Sequence, residues 1–198
     1  MATTHTDSSS RKTRTQPQAA SVRRYDGRSV KRPEGIAFLM QQHRDVEKLF
    51  EQYEAAEDEQ EKSALSAKIC LMLAVHAKIE EELLYPEAAE MLEDSDLVDQ
   101  ARVEHASAKD LIAQIETMQV AEPLYDAKVK VLKEYIKHHV EEEENELFPE
   151  LMRSDFDFAA LGRELTGRSS EVESELSEGG EDAARSRIAA EAEAGARI

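Results

Sequence analysis

Six side chains in this chain have the types and spacing to hold metal ions: His43, His76, Glu80, His105, His139 and Glu143. Two of the histidines open a His-x-x-x-Glu pair, His76 with Glu80 and His139 with Glu143. Residues four apart on a helix lie one turn apart on the same face, so each pair aims an imidazole and a carboxylate at one point. Imidazole suits iron, zinc, copper or nickel, and a carboxylate has two oxygens with which to bridge two ions. Four histidines and two glutamates give each of two ions three protein ligands, or four if both glutamates bridge. Positions then stay open for solvent or a small gaseous ligand.

The sequence repeats itself around these residues. HAKIEEELLYPE at 76–87 aligns with HVEEEENELFPE at 139–150 at an offset of 63, and His43 and His105 stand 62 apart. Each half is therefore one histidine on a first helix and His-x-x-x-Glu on a second. Two such halves packed face to face have approximate two-fold symmetry, and a site between them suits a pair of ions better than one. His138 and Glu142 form another His-x-x-x-Glu, one residue out of phase. The repeat puts a histidine ten residues before a proline in both halves, which selects His139 and Glu143. His138 is left as a solvated or supporting residue.

Other residues near the pattern have plainer readings. Glu81, Glu82, Glu104 and Glu144 read as solvated helix surface, with one of them binding an ion or orienting an imidazole as the alternative. Tyr85 and Phe148 are repeat equivalents that read as core packing, with a hydrogen bond from the phenol to solvent at the ions as the alternative. Pro86 and Pro149 are expected to kink or end their helices just beyond the site. Cys70 is the one cysteine, so no disulfide forms within the chain and a thiolate-only metal site is excluded.

The elements that position these groups are helices. Low Gly and Pro content with abundant Ala, Leu, Glu and Lys favours helix over sheet. Apolar and site positions recur at three- and four-residue intervals in four stretches. They run Ile36, Leu39, Met40, His43, Val46, Phe50; then Ile69, Leu73, His76, Glu80, Leu84; then Val98, Ala101, His105, Ala108, Ile112, Ile115; then Leu132, Ile136, His139, Glu143, Leu147. The six site residues lie on these core stripes. Burying them unpaired would be costly, and metal coordination is the simplest compensation, with a metal-free His/Glu hydrogen-bond network as the alternative. Breaks fall at EAAEDEQEK, at EDSD with its candidate N-cap residues, and at VAEP with Pro123 near the first position of the last helix. Short connections make neighbours antiparallel, so the expected fold is all-α, an antiparallel up-down-up-down four-helix bundle.

Composition divides the chain into three segments. Residues 1–33 carry eight basic side chains against Asp7 and Asp26 and read as a flexible, disordered basic arm, or as an electrostatic tether to an acidic surface. Residues 34–162, the bundle, hold 12 basic and 32 acidic residues. Residues 163–198 read as a polar acidic tail, disordered or a solvated helix. The formal charge of -18 disfavours nucleic acid and anionic membrane as partners of the bundle. No apolar run reaches membrane-spanning length and no signal-peptide core opens the chain, which points to a cytoplasmic protein. No protein partner is indicated.

The motifs LMQQHRDVEKLF, HAKIEEELLYP, VEHASAKDLI and HHVEEEENELFP together resemble the hemerythrin-like, or HHE cation-binding, domain over about 36–152. The resemblance implies two iron ions, a non-haem di-iron centre, inside a four-helix bundle. By motif, His43, His76, His105 and His139 are the implied terminal ligands, and Glu80 and Glu143 the implied bridges. Oxygen-carrying hemerythrins of marine animals are less similar. They have two histidines a turn apart on the third helix, where this chain follows His105 with Lys109. The implied function is binding or sensing of a small diatomic ligand such as dioxygen or nitric oxide. The alternatives are a peroxide-decomposing, catalase-like enzyme and an iron-responsive regulatory module. A simple ligand fits the absence of any substrate-recognition insertion.

Overall fold

The structure, a computed structural model, describes residues 33–92 and 95–196, apart from the Glu181 side chain. The expected basic arm lies outside the described residues. The described chain is all-helical. It runs α1 (Glu34–Ala55), α2 (Glu59–Ile79), a π-helical turn (Glu80–Leu84), α3 (Tyr85–Met91), α4 (Asp96–Glu116), α5 (Tyr125–Glu142), a second π-helical turn (Glu143–Leu147), α6 (Phe148–Leu151), α7 (Phe158–Ser177) and α8 (Glu181–Gly195). No described helix is long and apolar enough to cross a membrane.

Local chemistry sets most of the boundaries. Asp58 caps α2 by accepting from the backbone N–H of Glu61, so the first break is three residues, 56–58, shorter than EAAEDEQEK suggests. The Asp157 side chain caps α7 by accepting from Ala159 and Ala160. Ser95 precedes α4 but makes no side-chain cap. Pro123 does not open α5. That helix starts two residues later, behind Leu124, which turns the chain with φ 75°. The prolines after the site do not end their helices either. Each is the second residue after a π turn, where the missing N–H falls in a ladder that is already shifted.

The core is continuous from Ile36 and Leu39 through Ile69, Leu84, Ile112, Leu132 and Leu147. Full burial of each such side chain contributes about 1.5–3 kcal/mol. The expectation for the tail is corrected. Its residues form α7 and α8, and Leu165, Val172, Leu176, Ile188 and Ala192 are buried in the same core. α7 packs on α1 and α2, and α8 on α4, α2 and α7. The boundary at 162 therefore falls inside a helix. Gly162 meets Gly35 at the α7–α1 crossing, where an added Cβ would stand 2.9 Å from the Gly35 nitrogen. Arg185 of α8 donates to the carbonyls of Ile115, Glu116 and Met118 and so caps the end of α4, while its Nε pairs with the Glu116 carboxylate at 3.2 Å.

Candidate metal centre

The structure brings all six predicted site residues together in the interior, each no more than 6% exposed. α1 supplies His43, α2 His76, α4 His105 and α5 His139. The two π turns open with Glu80 and Glu143. The imidazoles face each other in pairs through Nε2, His43 with His76 at 3.2 Å and His105 with His139 at 3.1 Å. Glu80 Oε2 lies 3.1 Å from His76 Nε2 and 3.4 Å from His105 Nε2. Glu143 Oε2 lies 3.4 Å from His43 Nε2 and 3.6 Å from His139 Nε2. Each carboxylate thus stands between the two imidazole pairs, and each keeps one buried oxygen without a hydrogen bond, Glu80 Oε1 and Glu143 Oε2.

Every imidazole is held from behind. Nδ1 of His43 donates to Glu144 (3.0 Å), that of His76 to Gln42 (2.8 Å), that of His105 to Glu81 (3.1 Å) and that of His139 to Glu104 (3.0 Å). A carboxylate or amide oxygen only accepts, so Nδ1 carries the proton and Nε2 turns its lone pair inward. The holding residues are themselves tied. Lys109, buried, donates to both oxygens of Glu81, and Arg44 pairs with Glu144. Ser169 of α7 accepts from the Gln42 amide at 3.3 Å. Glu81, Glu104 and Glu144 therefore orient imidazoles rather than simply facing solvent. Glu82 instead pairs with Arg168 of α7. Gln42 and Lys109 are supports that the sequence reading missed. Gln42 was detectable as the repeat equivalent of Glu104, since each immediately precedes a site histidine.

Tyr85 also reaches the centre. Its hydroxyl donates to Glu143 Oε1 at 3.0 Å and lies 3.2 Å from His105 Nε2 and 3.4 Å from Glu80 Oε2. The π turn makes this possible, with the Tyr85 N–H bonding back five residues to the Glu80 carbonyl. Its equivalent Phe148 lacks a hydroxyl and stacks on His43 with ring centroids 6.1 Å apart.

Protonation follows from this geometry. Burial opposes charge on His43, but Glu143 and Glu144 outweigh it and raise the imidazole to about 9. Burial opposes charge on His105 too, and Glu80 and Glu81 raise it to about 9. Burial pushes His76 down, against the pull of Glu80. It also opposes charge on Glu80, yet His76 and His105 hold that carboxyl well below the usual range. Burial, with Glu143 and Glu80 beside it, keeps the Tyr85 phenol protonated.

A small cavity of about 20 Å³ adjoins all four imidazoles and is otherwise lined mainly by apolar side chains such as Met72, Leu73, Ile112 and Ile136. It has room for about one water-sized molecule. The donor groups converge as two sets, His43, His76, Glu80 and Glu143, and Glu80, His105 and His139.

A family model described as the hemerythrin HHE cation-binding domain matches residues 34–151. The chain belongs to this family. Among solved structures, the HHE domain is similar to a hemerythrin HHE cation-binding domain-containing protein from Mycobacterium kansasii, with a TM-score of 0.63 and 22% identity over 76% of this chain and 96% of that one. That likeness carries the fold. The HHE domain is also 29% identical over 106 residues to a DNA nickase of Nostoc sp., covering 54% of this chain and 30% of the nickase. The chain thus spans less than a third of that relative's length.

Proposed function

We propose that this HHE domain is a non-haem di-iron protein that binds or senses a small ligand such as dioxygen or nitric oxide at a carboxylate-bridged site. In this reading α1, α2, α4 and α5 form an up-down-up-down four-helix bundle around the centre. The observation that carries the reading is the facing of Nε2 atoms in two pairs. Two lone pairs about 3 Å apart repel unless something positive meets both, and that separation is what two imidazoles bound to one ion would have. His43 and His76 would hold one ion, His105 and His139 the other. Glu80 and Glu143 would supply carboxylate oxygens to both, and each has a buried oxygen without a hydrogen bond to offer. The iron ions supply redox chemistry toward the small ligand. Glu144, Gln42, Glu81 and Glu104 fix the imidazole planes, and the apolar wall of the cavity favours an uncharged diatomic over a polar substrate.

One observation favours decomposition of peroxide as the second reading. Tyr85 places a protonated hydroxyl against both carboxylates, within reach of a ligand that needs a proton. One experiment tests both readings: metal analysis, then optical spectra of the reduced protein after anaerobic addition of dioxygen, nitric oxide or peroxide. A reversible charge-transfer band with dioxygen or nitric oxide supports binding or sensing. Rapid gas evolution from peroxide supports the enzyme. Zinc alone, with no iron uptake, overturns both.

A further inference from the structure

Helix α5 and the π turn that follows it carry two His-x-x-x-Glu pairs, and the centre uses only His139 and Glu143. The other pair, His138 and Glu142, points outward beside Glu104 of α4. His138 Nε2 lies 3.4 Å from Glu142 Oε1 and 3.6 Å from Glu104 Oε1. The three donor atoms lie within 4.8 Å of one another. Gln100 donates to both carboxylates, at 2.5 Å to Glu142 and 3.3 Å to Glu104, and so keeps them side by side. The other oxygen of Glu104 is the one that holds His139.

Two further observations set this cluster apart from an ordinary acidic surface. The first is a cavity of about 10 Å³ between α4 and α5 that has the outer groups Gln100, Glu104 and Glu142 on one side and His139 and Glu143 on the other. Glu143, 2% exposed, lines that cavity, and its Oε2, the oxygen without a hydrogen bond, faces His43 and His139, so the cavity leads to the buried centre. The second is the repeat. The positions equivalent to Glu104, His138 and Glu142 are Gln42, Val75 and Ile79. Val75 and Ile79 are buried core residues, and Gln42 is covered by Ser169 of α7. The same three positions are thus packing residues in one half and convergent donors in the other.

We propose that Glu104, His138 and Glu142 form an outer site for a divalent transition-metal cation, which it stages for the buried centre across the α4–α5 cavity. Two carboxylates and one imidazole suit ferrous iron, manganese or zinc and leave the ion open on its solvent side. His138 is well exposed, so an ion can arrive without any helix moving. Glu104 belongs to both sites, one oxygen turned to each. The staging role rests on the reading of the buried centre, whereas the outer site itself does not.

The test uses the full chain loaded anaerobically with ferrous iron, freed of excess metal, and titrated with manganese(II) followed by electron paramagnetic resonance. The expected result is one manganese bound per chain, lost in His138→Ala and in Glu142→Gln, with the same buried iron content in all three proteins. Loading of metal-free protein with iron should reach the same end point in both variants, but more slowly. Manganese binding that is absent from the wild type, or unchanged in both variants, overturns the outer site. Unchanged loading rates with manganese binding lost overturn the staging role alone. A chain that binds manganese at the outer site but takes up no iron overturns the reading of the buried centre and leaves the outer site standing.

Discussion

The two halves of the repeat present the same groups to the centre and close them differently from behind. Where the first half has Gln42 behind His76, the second has Glu104 behind His139. Where the first half ends its π turn with Tyr85, the second has Phe148. The carboxylates that follow the site glutamates cross between halves, Glu81 to His105 and Glu144 to His43. Lys109, buried, ties the first of these, and Arg44, half-exposed, ties the second. The inner ring is thus nearly two-fold, and the asymmetry sits one layer out. Two ions held this way should differ in their surroundings while sharing the same inner ligand types.

The largest break in that comparison comes from the residues that serve both halves. Glu80→Ala and Glu143→Ala should each empty both positions, because each carboxylate touches one imidazole of either pair. Metal analysis with a thermal melt checks this, and a variant that keeps one full-strength ion would show that the halves load independently.

Acid should act on both halves alike, since His43 and His105 are equivalents raised to about 9. A proton and an ion compete for the same nitrogens, so ion affinity should fall as pH falls below 9, by about tenfold per pH unit for each ion. Stability runs the other way in the metal-free protein. Groups raised in the folded state contribute fully below their ordinary value of 6.5, and that contribution is lost as pH rises through about 9. Melts across pH 6–10 with and without iron should separate the two, with the loss confined to the metal-free chain.

Exchanging the supports should sharpen the asymmetry. Glu104→Gln should weaken the ion at His139, and Gln42→Glu should strengthen the one at His76, each by about tenfold in affinity. Competitive titration against a chelator measures both, and equal effects of the two variants on both ions would remove the distinction between halves. A smaller change is expected from Tyr85→Phe, about 1–3 kcal/mol of stability from the hydrogen bonds taken from Glu143 and Glu80, together with an altered optical spectrum. Phe148→Tyr should not reproduce that spectrum. The smallest is His138→Ala, within about 0.5 kcal/mol by thermal melt and without loss of buried iron. Equal iron loss in the His138 and His139 variants would move the register of α5 by one residue.

The convergence of the six side chains was legible because two signals agreed on it: helical periodicity and an internal repeat whose prolines fix the phase. The supports were less so. Glu81, Glu104 and Glu144 look like any acidic helix surface, and only their position next to a site residue in both halves distinguishes them. Tyr85 was hidden for a geometric reason. In a regular α-helix a residue five positions after Glu80 points about 140° away from it. The tail was misread because its apolar residues are sparse. Val172, Leu176 and Ile188 are separated by Ser, Glu and Gly, and small residues such as Ala192 do much of the packing. Its charge was no guide either, since Arg185 and Arg168 are spent on the end of α4 and on Glu82.

The π turns have a consequence for how this sequence can vary. Each contains one residue more than an α-helix needs to span the same rise. Deleting a single residue between Glu80 and Leu84 would restore regular winding and rotate everything after it by about 100°. Tyr85 and Ala88, both fully buried, would swing off the core, and the phenol would leave the centre without any site residue having changed. Segment length, more than the identity of Glu82 or Leu83, keeps the hydroxyl in place. Substitutions there should be tolerated where one-residue deletions are not.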